Sequence, residues 1–199
     1  MNECRVAVIG ATGAVGRVFL SIMKERMFLA GSIRLCASER SWGKKLRLNG
    51  QEHAVEEPTA RLLGEVDIVF IAAGSDTSRE LAPVAARQGA LVVDKSSAFR
   101  MDPDVPLIVP EVNPQHLELV TGQAWDGALV TNPNCAVAGL ALALAPLHDV
   151  FGVERIVVTS FQAISGAGTP GPPASSLLDN VLPLIPGEEE KFTGEPQKI

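Results

Sequence analysis

The sequence predicts an α/β protein: a doubly wound, mostly parallel sheet, followed by the start of a second, α+β domain. Three observations carry that expectation. Short β-branched runs alternate with amphipathic stretches at helical spacing through the first two thirds of the chain. The first run ends in a glycine-rich turn that opens a helix. The last third changes character, to an apolar helix headed by a cysteine and then to Gly- and Pro-rich loops. The expected division is 1–132 for the sheet domain and 133–199 for the cysteine helix and an incomplete second domain.

"CRVAVIG" is the first strand, and "GATGAVG" after it sets Gly10, Gly13 and Gly16 at three-residue intervals. In "RVFLSIMKERMF", Val18 and Ile22, with Phe19 and Met23, recur at helical spacing. Strand, glycine turn and helix together let backbone N–H groups approach a pyrophosphate, and the helix start adds a favourable partial charge. The motif therefore points to a Rossmann-type dinucleotide site; a tight structural turn is the plainer alternative. The second strand, "SIRLC", leads to "ASERSWGKK". A site that prefers NAD places a carboxylate at this tip. Here the tip is Ala37-Ser38 with Arg40 and Ser41 beyond, which favours a 2'-phosphate and hence NADP, while Glu39 pulls the other way.

"EVDIVFIAAG" reads as a buried strand, "SDTSRELAPVAARQ" as a helix and "GALVVDKS" as a further strand. "AAGS", residues 72–75, closes its strand at the edge where ligands collect in such sheets. "DKSSAFRM" puts Arg100 at the same edge, where a guanidinium can fork onto phosphate or carboxylate, or serve in an ordinary ion pair. "PDVPLIVPEVNP" is too rich in proline for a helix and reads as an extended segment across the sheet.

In "ALVTNPNCAVAGLALALAPLHDVFG" the strand ends at Thr131, Asn132 and Asn134 are candidate caps, and Cys135 falls in the first turn of the helix. A thiolate there is favoured by the helix dipole and unpaired N–H groups. The alternative is a packed thiol, the role expected of Cys4 and Cys36 inside their strands. Finally, "VERIVVTSFQAISGAG" reads as a β-branched strand running into Gln162, then a backbone-rich loop, "SGAG", able to lie against a flat ligand. Gln162 is a candidate to orient an acyl group, or a structural residue.

Composition narrows the partners. A net charge of −6 disfavours nucleic acid. The longest apolar run, "AVAGLALALAPL", is too short to span a bilayer. Three cysteines without paired spacing argue against disulfides and structural zinc, so no metal is expected. The first residues enter a strand without the features of a signal peptide, and a cytoplasmic protein is expected.

Taken together, "GATGAVG", "DKSSAFRM", "PEVNP", "NPNC" and "SFQAISGAG" resemble the aspartate-semialdehyde dehydrogenase family, in one order and from the first strand to the end. The resemblance implies that Cys135 is a nucleophile forming a thioester, that Gln162 helps place the substrate, and that Arg100 and Asn134 hold its phosphate. It implies further that Thr12, Gly13, Ala14 and Val15 touch the pyrophosphate of NADP, Arg40 and Ser41 the adenosine phosphate, and Ser165 and Gly166 the nicotinamide side. The implied reaction is the reversible, NADPH-dependent conversion of L-aspartyl-4-phosphate to L-aspartate 4-semialdehyde and phosphate, on the route to lysine, threonine and methionine, in a homodimer or higher oligomer. Two departures stand out. Ala136 and Val137 follow the cysteine where members often carry Ser or Thr. Members are also longer, with a catalytic histidine and a carboxylate-binding arginine beyond the length of this chain, so an incomplete enzyme is expected; His53, His116 and His148 read as surface or structural. N-acetyl-gamma-glutamyl-phosphate reductase, with a different cysteine motif, and a catalytically silent NADP-binding protein are the alternatives.

Overall fold

In the computed structural model, which describes residues 4–28, 30–167 and 171–199, β1 (Cys4–Ile9) lies at the centre of a seven-stranded sheet. On one side it pairs in parallel with β2 (Ala30–Cys36), beyond which lie β4 (Gln51–Glu56), also parallel, and β3 (Lys45–Leu48), antiparallel at the edge. On the other side β5 (Ile68–Ile71), β6 (Leu91–Asp94) and β7 (Ala128–Thr131) follow in parallel. The strand order reverses between β1 and β5, the switch point where doubly wound sheets open a crevice for ligands.

Alternation along β1 builds both layers. Ala7 and Ile9 face a core completed by Leu62 and Leu63 of α2 (Ala60–Leu63) and by Ala82, Ala85 and Ala86 of α3 (Ser75–Arg87). Val6 and Val8 face the opposite core, with Leu20 and Met23 of α1 (Ala14–Glu25). Both faces are covered, so the inner strands read as apolar runs. The three alanines let α3 lie close on the sheet, and each is fully buried.

Three elements differ from the sequence reading. The β3–β4 hairpin, which the sequence reading does not pick out, turns at Asn49 (φ 50°) and Gly50 (φ 83°), the two left-handed residues that a tight hairpin requires. The Pro-rich segment runs along β7 rather than across the sheet. Leu107 makes a single bridge to Thr131 there, because Pro106 has no N–H to extend the ladder. The expected strand before Gln162 is not a strand: Val157 and Phe161 are 90% and 85% exposed, and no edge among the described residues pairs with the segment. β-branched composition makes a strand only where a hydrogen-bonding edge exists.

α4 (Cys135–Phe151) ends at Gly152, whose left-handed backbone (φ 69°) returns its N–H to the His148 carbonyl. Only Val137 and Ala141 of this apolar helix are buried. α5 (Glu188–Lys198) packs against α4 despite Gly194 and Pro196 inside it. Among the described residues no helix is long and apolar enough to cross a membrane.

Candidate active site

After β1 the chain reverses at Gly10, where φ is +82° and an added Cβ would lie 2.3 Å from the Ala72 carbonyl oxygen beyond β5. Gly16, in the first turn of α1, would press a Cβ to 2.3 Å from the Gly10 carbonyl oxygen. These two glycines let α1 start directly on the strand end. Gly10 and Ala11 N–H donate to the Cys36 carbonyl (2.8 and 3.0 Å), which locks the turn to β2. Gly13 caps α1 with extended backbone and no side-chain bond, no acid lies in the first turn, and Gly13, Ala14 and Val15 are exposed. A bare helix start over a backbone cradle fits the phosphates of a dinucleotide. The Thr12 hydroxyl donates to the Ser41 hydroxyl at 3.4 Å, so the turn and the tip of β2 meet; Ser41 is buried and Arg40 exposed beside it.

The second cluster forms where β6 and β7 end. Asp94, fully buried, accepts from Ser78 Oγ (2.6 Å), Ser96 N–H (2.8 Å) and Ser96 Oγ (2.9 Å), which shapes the loop leading to Arg100. Ser75 and Ser97 hydroxyls, 3.0 Å apart, join this loop to the start of α3. Asn134 is the N-cap of α4, its Oδ1 accepting the Ala136 N–H at 2.9 Å. Cys135 is therefore the first helical residue, and it is exposed, whereas Cys4 is half-buried and Cys36 buried.

α5 brings two carboxylates to this place that the sequence reading missed. Glu195 accepts from Arg100 Nη1 (2.9 Å) and from the Asn134 N–H (2.6 Å). Glu188 accepts from Asn134 Nδ2 (3.0 Å), Gln162 Nε2 (2.6 Å) and the Lys191 ammonium. Burial pushes the Glu188 carboxyl up, but hydrogen bonds from Lys191, Gln162 and Asn134 outweigh it and hold it below its ordinary value. Arg100 gives a second bond, from Nη2 to the Lys95 carbonyl (2.9 Å), while its Nε is buried without a partner among the described residues, as is Asn132 Oδ1. Arg100, Asn134, Gln162 and Cys135 thus meet at one helix start. Lys95 belongs with them: it is half-buried, and its ammonium is held below the usual lysine range by burial first and by the charge of Arg100 second. Only the Glu188–Lys191 spacing, three residues apart on a helix, was a readable signal.

Ser165 and Gly166 lie in a short turn (Ile164–Ala167) beside Gln162, whose Oε1 is 3.6 Å from a Cβ built on Gly166. Among the described residues no hydrogen bond joins that turn to the glycine cradle, and Gly168, which closes "SGAG", lies outside them. A cleft of about 870 Å³ opens beside Gln162 and Glu188. The histidines lie elsewhere. His148 accepts the Val153 N–H in the last turn of α4, His116 packs on Asn113, and His53 pairs with Leu46 in the hairpin.

Residues 5–120 match the profile of "Semialdehyde dehydrogenase, NAD binding domain", and residues 144–199 that of "Semialdehyde dehydrogenase, dimerisation domain". The aspartate-semialdehyde dehydrogenase of Aquifex aeolicus is 46% identical over 82% of this chain and 47% of its own length; that of Archaeoglobus fulgidus is 42% identical over 98% and 60%. Among solved structures, aspartate semialdehyde dehydrogenase II of Vibrio cholerae complexed with ASA superposes over all of this chain and 66% of its own, with a TM-score of 0.88 at 35% identity. The Candida albicans enzyme with NADP covers all of this chain and 60% of its own, at a TM-score of 0.77 and 30% identity. The chain spans about half to three fifths of the length of these curated relatives.

Proposed function

We propose, because the chain belongs to the aspartate-semialdehyde dehydrogenase family, that it supplies the cofactor cradle and the nucleophile for the reversible reductive dephosphorylation of L-aspartyl-4-phosphate to L-aspartate 4-semialdehyde. The observation that carries this reading is the exposed Cys135 at the first position of α4, next in the chain to Asn134, which Glu195 and Glu188 link by hydrogen bonds to Arg100 and Gln162.

Cys135 sulfur attacks the acyl carbon; a C–S bond forms, the C–O bond to phosphate breaks, and inorganic phosphate leaves. The departing dianion finds Asn134 and the guanidinium of Arg100, whose five donors are only partly engaged. Gln162, held by Glu188, orients the acyl group. When bound, the nicotinamide cofactor supplies a hydride to the thioester carbonyl. A thiohemiacetal on Cys135 would collapse to the free aldehyde and the Cys135 thiolate.

Thr12, Gly13, Ala14 and Val15 hold the pyrophosphate, with Ser165 and Gly166 toward the nicotinamide. NADP is the cofactor in this reading because Arg40 and Ser41 stand at the tip of β2, and a Candida albicans relative is solved with NADP. The boundary at 132/133, a homo-oligomer formed through the part that matches a dimerisation domain, a cytoplasmic setting and a place in lysine, threonine and methionine synthesis belong to the same proposal.

The half-reaction gives the test. L-Aspartyl-4-phosphate added to the 199-residue chain should leave one aspartyl unit on Cys135, read by intact mass and peptide mapping, and Cys135→Ala should take none. Equal acylation of Cys135→Ala, or none of the parent chain, would refute the assignment.

A further inference from the structure

Lys95, the first residue after β6, has no task in the reaction as described. Its backbone is fixed twice: the N–H donates to the Ile71 carbonyl, and its own carbonyl accepts Arg100 Nη2, both at 2.9 Å. The residue before it, Asp94, pairs across the sheet with Thr131, the end of the strand that runs into Cys135. Lys95 and Cys135 therefore leave neighbouring strands at the same edge, and the Lys95 ammonium is close enough to Arg100 and Cys135 to feel the charge of both.

The charges around it are unevenly matched. Arg100 is compensated by Glu195 at 2.9 Å, and Lys191 by Glu188. Those two acids are further occupied by Asn134 and Gln162. Among the described residues the Lys95 ammonium forms no salt bridge. A half-buried ammonium without an acid costs free energy, and its positive potential is not cancelled locally. Burial and the charge of Arg100 hold the basicity of this ammonium down, and Cys135 acts in the opposite direction.

We propose that Lys95 is a positioning residue whose ammonium makes the surroundings of the Cys135 sulfur electropositive, so that this thiol reacts with anionic electrophiles in preference to neutral ones of matched chemistry. The ligand class is an electrophile with a phosphoryl or carboxylate group beside the reacting carbon. The proposal rests on Cys135 as the nucleophile but not on the identity of the acyl phosphate.

Iodoacetate and iodoacetamide provide the matched pair. In both, the sulfur displaces iodide from a CH2 group, forming S–C and breaking C–I, and only the charge beside that carbon differs. The quotient of the two rates at Cys135, mapped by mass spectrometry on the full chain, is independent of how much thiolate is present. Lys95→Met should lower this quotient at least about threefold at low salt, and added salt should shrink the difference. Lys95→Arg should keep it near the parent value, and the quotient at Cys4 should not move. An unchanged quotient in Lys95→Met, an equal fall at Cys4, or an equal fall in Lys95→Arg would overturn the proposal while leaving the nucleophile assignment intact. Failure of both reagents to label Cys135 would overturn the proposal and the nucleophile assignment together.

Discussion

Glu195→Ala should destabilise the chain by about 3–5 kcal/mol, the cost of breaking a buried ion pair from one side. The Arg100 and Glu195 side chains are 9% and 3% exposed and meet at 2.9 Å. Without the carboxylate, a guanidinium whose Nε already lacks a partner among the described residues is left buried and uncompensated, and the Asn134 N–H at the head of α4 loses its 2.6 Å acceptor. With a denaturant slope of about 2 kcal/mol per molar urea, the unfolding midpoint should fall by about 1.5–2.5 M, read by far-UV circular dichroism at neutral pH. Arg100→Met combined with Glu195→Met should recover most of that loss, because neither charge then stays inside alone. A loss under about 1 kcal/mol for Glu195→Ala would match a solvent-exposed pair and refute the reasoning. So would a double variant less stable than the sum of the singles.

Other outcomes follow from the same geometry. Alkylation at pH 8 should reach Cys135 first and Cys36 last, since Cys36 is buried and its thiol is pushed up to about 12, by burial foremost and by the charge of Glu56; early labelling of Cys36 in native protein would contradict this. Arg5 holds the Asp67 carboxyl at about 2, from an ordinary 3.8, so the folded state binds fewer protons there. That stabilisation is complete above pH 4 and is lost as pH falls toward 2, and Asp67→Asn should flatten the acid limb of a stability–pH curve in that window only. Gly16→Ala should lower the melting temperature and weaken dinucleotide binding, as its Cβ meets backbone at 2.3 Å. Gly139→Ala, with nothing within 4 Å in α4, should be neutral or stabilise by about 0.5–1 kcal/mol, and the two would trade places if propensity outweighed sterics. Arg40→Ala should erase most of a preference for NADPH over NADH of roughly ten- to a hundredfold, measured by titration; equal binding of the two by the parent chain would count against NADP.

What the sequence disclosed divides by distance along the chain. The glycine turn and the Asn134 cap were legible because their causes are local: a φ that only glycine adopts freely, and a side chain two residues from the N–H it accepts. The hairpin was also local, and Asn49-Gly50 was the signal for it that the sequence reading passed over. Glu188 and Glu195 were hidden for a different reason. "GEEEKFTGE" has the composition of a solvated face, and nothing near it in sequence tells that Asn134 and Arg100 wait to receive it. Lys95 stood between an aspartate and two serines, and that it forms no salt bridge among the described residues is a property of three dimensions only. The strand expected before Gln162 failed by the same rule, since pairing depends on an edge that composition does not supply.

The Arg100–Glu195 pair also imposes an order on synthesis and folding. Its members stand 95 residues apart, whereas every bond that shapes the glycine turn is made among residues up to Ala72. Closing the longer loop costs more chain entropy, and a ribosome delivers the nearer partners first. A nascent chain therefore holds a finished dinucleotide cradle while its cysteine, already emerged, still lacks the acids that wall its pocket. The interval between translating Cys135 and translating Glu188 to Lys198 is the period in which that thiol is most open to adventitious oxidation, and a dinucleotide bound early can steady the sheet throughout it.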